Sequence, residues 1–216
     1  MSCCESIDRQ FDRAEVEGML RRFRRRGPDR STRLLIEALR SDGPIGETLL
    51  DIGGGIGAIH HELLDAGMHT AVEVDISSAS IAAAEEEARR RGHDGRVQFV
   101  RGDFVDIAAG IDAADVVTLD RVICCYPNME QLVAASSAKA KRLYGAVYPR
   151  ESPWMRVGVV VINGWLRLTR SDFRVYLHAP AAIVRALTQH GLHLRTRRRT
   201  IAWEVAVFAR TSERAA

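Results

Sequence analysis

The stretch LLDIGGGIGAIHHELL, Leu49 to Leu64, decides how the rest of the chain is read. It joins the end of an apolar strand to a glycine loop, and the loop to a helix. Glycines let the backbone turn sharply and let a ligand approach it closely. Two patterns fit the same letters. Gly53, Gly55 and Ala58 spell G-x-G-x-x-A, a dinucleotide fingerprint, while Asp51, Gly53, Gly55 and Gly57 spell D-x-G-x-G-x-G. Asp51 separates them. A dinucleotide brings a pyrophosphate to the helix N-terminus, and a carboxylate two residues before the first glycine repels it. The same carboxylate attracts a cation. S-adenosylmethionine, with its ammonium and sulfonium, is such a ligand.

Outward from this loop, strands and helices alternate. TLLDI, HTAVEVD, RVQFVRGD, ADVVTLD and RLYGAVY read as strands one to five. SSASIAAAEEEARRRG and NMEQLVAASSAKAK read as helices between them, the first opened by serines and closed by Gly92. PAAIVRALTQHG starts a last helix at Pro180, and LHLRTRRR with IAWEVAVFAR reads as a closing hairpin. Before the loop, 9–41 holds two helices, the second restarting with Pro28 in its first turn. Alternation predicts an α/β fold: a Rossmann-like, seven-stranded, mostly parallel sheet with helices on both faces and a C-terminal antiparallel hairpin. The expected layout is one domain over 1–216, with N-terminal helices in 1–43, a cofactor-binding core in 44–150, an inserted lid-like segment in 151–178, and a closing helix and hairpin in 179–210. VGVVVI within the insert is β-branched, but Ser152-Pro153 is a helix start, and Trp154, Val157, Val161, Trp165 and Leu168 recur at helical spacing. A helix is expected there.

In an alternating sheet, ligands bind beyond the carboxyl ends of the strands. Asp51, Asp75, Asp103 and Asp120 all fall at such ends. Asp75 is suited to accept from ribose hydroxyls, and Asp103 from an adenine amino group with Phe104 at the ring edge. Glu73 is expected to face away from Asp75 and is the weaker candidate. His60 and His61 are expected to be surface or half-buried residues without a role.

These motifs resemble those of the class I S-adenosylmethionine-dependent methyltransferases. LLDIGGGIG is similar to that family's first motif, VEVDIS to its ribose motif and RGDF to its adenine motif. The terminal hairpin looks like the strands that close its sheet. The resemblance implies an enzyme of EC class 2.1.1 with S-adenosylmethionine as cofactor. It puts Asp51, Gly53, Gly55 and Gly57 at the methionine end, Asp75 and Ile76 at the ribose, Asp103 and Phe104 at the adenine, and Asp120 beside the sulfonium. CCYP has a likeness to the HYP of magnesium-protoporphyrin O-methyltransferases, but Cys125 stands where those enzymes have histidine. Asp120, Tyr126 and His178 are the candidate catalytic residues, because a hydroxyl or amine acceptor needs a base. An NAD(P)-dependent oxidoreductase and a non-catalytic S-adenosylmethionine-binding module are the alternatives.

Composition narrows the partners. A formal charge of +3 makes no case for nucleic acid. The cysteines come as adjacent pairs, Cys3-Cys4 and Cys124-Cys125, not at zinc-site spacing, so no metal is expected. The start MSCCESIDRQ lacks a signal-peptide pattern, and a cytoplasmic location is expected. The insert is apolar and bordered by Arg150, Arg156, Arg167 and Arg170. It suggests a hydrophobic small-molecule acceptor and a peripheral membrane contact through 152–170.

Overall fold

The central strands form from largely apolar, β-branched runs, the mark of strands buried on both faces, whereas the edge strand at the C-terminal side, LHLRTRRR, is polar and largely exposed. In the computed structural model, which describes residues 3–41 and 46–211, with side chains from Ser6 onward, the strands make one seven-stranded sheet. The strands are β1 (Thr48–Ile52), β2 (Thr70–Asp75), β3 (Val97–Arg101), β4 (Ala114–Asp120), β5 (Ala140–Pro149), β6 (Leu192–Arg199) and β7 (Trp203–Arg210). Their order is β3-β2-β1-β4-β5-β7-β6. The first five are parallel, and β7 runs antiparallel between β5 and β6, as the hairpin predicts. The order reverses between β1 and β4, so a crevice opens where their carboxyl ends diverge.

The helices are α1 (Cys3–Gln10), α2 (Arg13–Arg26), α3 (Arg30–Arg40), α4 (Ala58–Asp65), α5 (Ser78–Arg91), α6 (Phe104–Ile107), α7 (Met129–Ser137), α8 (Pro153–Leu168) and α9 (Pro180–Gln189). Alternate strand residues point to opposite faces. Leu50, Val117 and Tyr144 pack with α7 and α9, and Leu49, Val116 and Leu143 pack with α3 and α4.

Three expectations change. α1 is an additional helix, docked by Asp8, which accepts from the Ser78 amide (2.8 Å) and pairs with Arg101 (3.0 Å). α3 begins at Arg30, not Pro28, because Asp29 is its cap and accepts from the Ser31 and Thr32 amides. The AKAK end of the expected helix NMEQLVAASSAKAK is not helical: α7 stops at Ser137, Ala138 and Lys139 form a turn in which the Lys139 carbonyl accepts from the Ala114 amide (2.9 Å), and β5 starts at Ala140. The insert is helical, as expected. The Cys3 and Cys4 side chains, the turn at 43–45 and the tail at 212–216 lie outside the described residues. Among the described residues, no helix is long and apolar enough to cross a membrane.

The N-terminal helices close over the crevice. Arg24 of α2 pairs with Glu86 and the buried Glu87 of α5 (both 2.8 Å). Arg24, Arg90 and Arg91 together hold the Glu87 carboxyl well below its usual range, against the effect of its burial.

Candidate functional site

The glycine loop is shaped by what lies beneath it. Gly53, Gly55 and Gly57 all have positive φ (64°, 64° and 77°), where side chains are strained. A Cβ on Gly57 would lie 2.5 Å from the His60 ring, and one on Gly53 2.5 Å from Val122. A Cβ on Gly55 would meet nothing within 4 Å. Gly55 is thus the point where the loop backbone is open to an approaching ligand.

Asp51 sits in a row across the sheet, paired in register with Glu73 on β2 and Thr118 on β4. It is 1% exposed. Its Oδ1 accepts from the Thr118 hydroxyl (2.7 Å). Its Oδ2 has no hydrogen-bond partner and lies 3.4 Å from His60 Nδ1. Burial pushes its carboxyl up to about 7, with the Thr118 hydroxyl and the His60 amide pulling the other way.

Two expectations about its neighbours are overturned. Glu73 does not face away from Asp75. Residues two apart on a strand share a face, and Glu73 is fully buried beneath Gly54, with both carboxylate oxygens lacking hydrogen-bond partners. His60 and His61 are also fully buried. His60 Nδ1 stands 3.1 Å from Glu73 Oε2, and His61 Nδ1 meets His93 Nδ1 at 3.1 Å. Burial raises both carboxyls and lowers His60 to about 3, so this cluster favours neutral forms. Strand periodicity gives Glu73 the face of Asp75, but the His60–Glu73 contact joins residues distant along the chain.

Of the other strand-end acids, Asp75 and Asp103 are held by the backbone and Asp120 by side chains. Asp75 accepts from the Gly55 amide (3.0 Å) and the Ser77 amide (2.8 Å), and burial raises it to about 6. Asp103 caps α6 through the Val105 amide (3.0 Å) and lies 3.3 Å from the Tyr126 hydroxyl, with Phe104 buried beside it. Asp120 accepts from Thr32 Oγ1 (2.5 Å) and pairs with Arg121 (3.0 Å). Arg121 has a left-handed φ of 62° and reaches Asp29 at 2.6 Å, tying β4 to the start of α3. Replacing Asp29 with alanine removes both the cap and this tie. A loss of about 1–2 kcal/mol of stability is expected in urea unfolding.

A cavity of about 710 Å³ joins these groups. Asp51, Asp75, Ile76, Asp103, Phe104, Asp120, Tyr126 and the loop glycines Gly53 and Gly55 all line it. Gly57 is not among the lining residues; it sits on the histidines instead. His178 is not brought to the wall. Its Nε2 is 2.9 Å from the Tyr126 carbonyl, which requires Nε2 to donate, and its ring stacks with Tyr176. The thiols of Cys124 and Cys125 both donate to the Arg121 carbonyl (3.2 and 3.5 Å). Beyond the acids the lining turns apolar: Ile7, Phe11, Met19 and Phe23 from the N-terminal helices, and Trp154, Met155, Val159 and Ile162 from α8.

Residues 50–141 match the family model described as a methyltransferase domain. The sheet order and the D-x-G-x-G-x-G loop agree with this match: the 50–141 segment is similar to that methyltransferase domain, a family that uses S-adenosylmethionine. A curated relative, the ribosomal protein L11 methyltransferase of Edwardsiella ictaluri, is 24% identical over 150 residues, covering 66% of this chain and 51% of that protein. The chain therefore spans about half the length of the curated relative it matches. Among solved structures, the magnesium protoporphyrin IX methyltransferase of Synechocystis PCC 6803 with bound S-adenosylmethionine superposes with a TM-score of 0.73 at 17% identity, covering 98% of both chains. An O-methyltransferase family protein from Burkholderia thailandensis gives 0.72 at 16% identity, covering 94% of this chain and 62% of that one.

Proposed function

We propose that the chain transfers the methyl group of S-adenosylmethionine to a small, apolar acceptor held beneath α8. The observation that carries this reading is the two-part cavity: an acid-lined floor at the strand ends and an apolar roof from α8 and the N-terminal helices. The bound cofactor supplies a methyl carbon activated by its sulfonium. In our reading Asp51 meets the cofactor's cationic methionine end, the orphaned Oδ2 being the fitting acceptor. Gly55 gives that end close backbone approach, Gly53 lets the loop pass Val122 along the cavity wall, and Gly57 keeps the loop seated. Asp75 with Ile76 takes the ribose, and Asp103 with Phe104 the adenine.

Methyl transfer is an in-line displacement, so the protein's work is alignment and exclusion of water. The candidate bases are already engaged. Asp120 is bound by Thr32 and Arg121, Tyr126 lies against Asp103, and the His178 Nε2 proton is given to a carbonyl. This favours an acceptor that is nucleophilic without a strong base, such as a carboxylate. Arg22 on the cavity lining supplies positive charge for it, Arg121 being taken up by Asp29 and Asp120. The fold likeness to a magnesium protoporphyrin IX methyltransferase is compatible with an apolar small-molecule acceptor. Segment 151–178 acts in this reading as a lid, and its outer face makes a peripheral membrane contact. We read the location as cytoplasmic, with Cys124 and Cys125 as free thiols in support.

Placing a charge in the roof tests the acceptor site. Val159→Asp is expected to leave S-adenosylmethionine affinity within roughly threefold while lowering turnover of an apolar acceptor at least about 10-fold, as a charge set against an apolar ligand in place of a half-buried valine implies. Unchanged turnover would remove α8 from the acceptor site.

A further inference from the structure

Helix α8 is apolar on two sides. One side, with Met155, Val159 and Ile162, lines the cavity. The other carries Val157, Val161, Trp165 and Leu168, spaced by four, four and three residues, so they form one stripe. These are 64%, 63%, 65% and 77% exposed, and Val160 beside them is 71% exposed. No residue of α8 is buried. The remaining strip is polar: Arg156, Asn163 and Arg167 recur every seven and four residues.

The helix is not free to roll this stripe inward. Asn163 clasps the backbone of Val175 from both sides, its Oδ1 accepting from the Val175 amide (2.9 Å) and its Nδ2 donating to the Val175 carbonyl (2.8 Å). That clasp fixes the rotation, with Asn163 against the 171–179 segment and the stripe outward, while Arg156 and Arg167 stay exposed at its border. Leaving five large apolar side chains exposed to water has no folding benefit, so the stripe calls for a cover.

Charge selects the cover. Residues 152–171 contain Arg156, Arg167 and Arg170 and no acid. Glu151 and Asp172, just outside, are paired with Arg156 and Arg9. A second copy of the same face would bring like charges together. An anionic surface would neutralise them. The helix is also too short to span a bilayer, and it pairs an apolar face bearing Trp165 with an arginine border, the pattern of a helix lying in the headgroup boundary.

We propose that the outer stripe of α8 docks the chain on an anionic lipid bilayer, with Arg167 and Arg170 at the phosphates. Resting on the function proposed above, this docking lets an apolar acceptor pass from the bilayer under α8 into the cavity.

The test is co-sedimentation of the full chain with vesicles of phosphatidylcholine alone and of phosphatidylcholine with phosphatidylglycerol. Binding is expected to be at least about tenfold tighter with the anionic lipid and to weaken as salt rises. Val161→Asp with Trp165→Asp is expected to weaken it by roughly 100-fold, with S-adenosylmethionine affinity unchanged to show that the fold is intact. Arg167→Gln and Arg170→Gln should each cost roughly fivefold. Failure of the wild-type chain to bind either vesicle overturns the proposal. So does equal binding by the aspartate variant, or a concentration-dependent dimer that this variant dissolves. A wild-type chain that binds vesicles but not S-adenosylmethionine would instead overturn the proposed function and leave the docking standing.

Discussion

Asp51→Asn is expected to weaken S-adenosylmethionine binding roughly 10- to 100-fold, the size of one lost charged interaction. The fold should survive the change. An asparagine Oδ1 still accepts from Thr118, and its amide can donate toward His60 where Asp51 Oδ2 now has no partner. The pH dependence follows from the same carboxyl. Burial raises it from 3.8 to about 7, so the free folded protein holds this proton more tightly than the unfolded chain does. Its contribution to stability therefore falls as pH rises from about 4 to about 7, and is level above that. A bound cation favours the ionised form. Cofactor affinity should accordingly rise with pH up to about 7 and then flatten. The asparagine variant should lack this component. Asp75 and Glu73 shift in the same direction, so the quantity to read is the difference between wild type and variant. Isothermal calorimetry in two buffers of different ionisation enthalpy measures it as proton release that the variant has lost.

Gly57→Ala and Gly55→Ala should separate stability from binding within a single loop. Both positions have positive φ, which costs an alanine about 1–2 kcal/mol. At Gly57 the new methyl also enters the His60 ring and approaches His61 (2.9 Å). Neither ring can yield, because both are fully buried. Overpacking adds about 1–3 kcal/mol, and the melting temperature should fall by roughly 5–15 °C. At Gly55 the methyl meets no protein atom, so the melting temperature should fall by only a few degrees, about 2–6 °C. There the loss should appear in cofactor affinity, because the methyl occupies the ligand's approach. Equal effects at the two positions would mean that the open side of Gly55 is not where the cofactor comes.

The framework was legible because its signals are local. The first four strands are short, mostly apolar runs with an acid at or near their ends, and the loop spells its own geometry. The closing hairpin follows from two adjacent strand patterns, and it sets β7 antiparallel beside β5. The Ser152-Pro153 start and the helical recurrence of Trp154, Val157 and Val161 outweighed the β-branched VGVVVI. What escaped the sequence depends on partners distant along the chain. His60 meets Glu73 only because β2 lies beside β1 and α4 packs over both. The face of Glu73 was misread, although strand periodicity alone gives it. His178 is close in sequence to the expected acceptor side, but its orientation is set by the Tyr126 carbonyl, 52 residues away. The extra helix α1 is short, and only its contact with Ser78 and Arg101 explains where it sits.

The central claim is S-adenosylmethionine-dependent methylation of a small apolar molecule. Incubating the chain with methyl-labelled S-adenosylmethionine and a whole-cell extract, then separating small apolar compounds from protein and nucleic acid, tests it most directly. Label in the apolar small-molecule fraction, reduced by Asp51→Asn and by Val159→Asp, is the expected result. Label in protein, in line with the relative that methylates a ribosomal protein, or stabilisation by NAD with no methyl transfer, would contradict it.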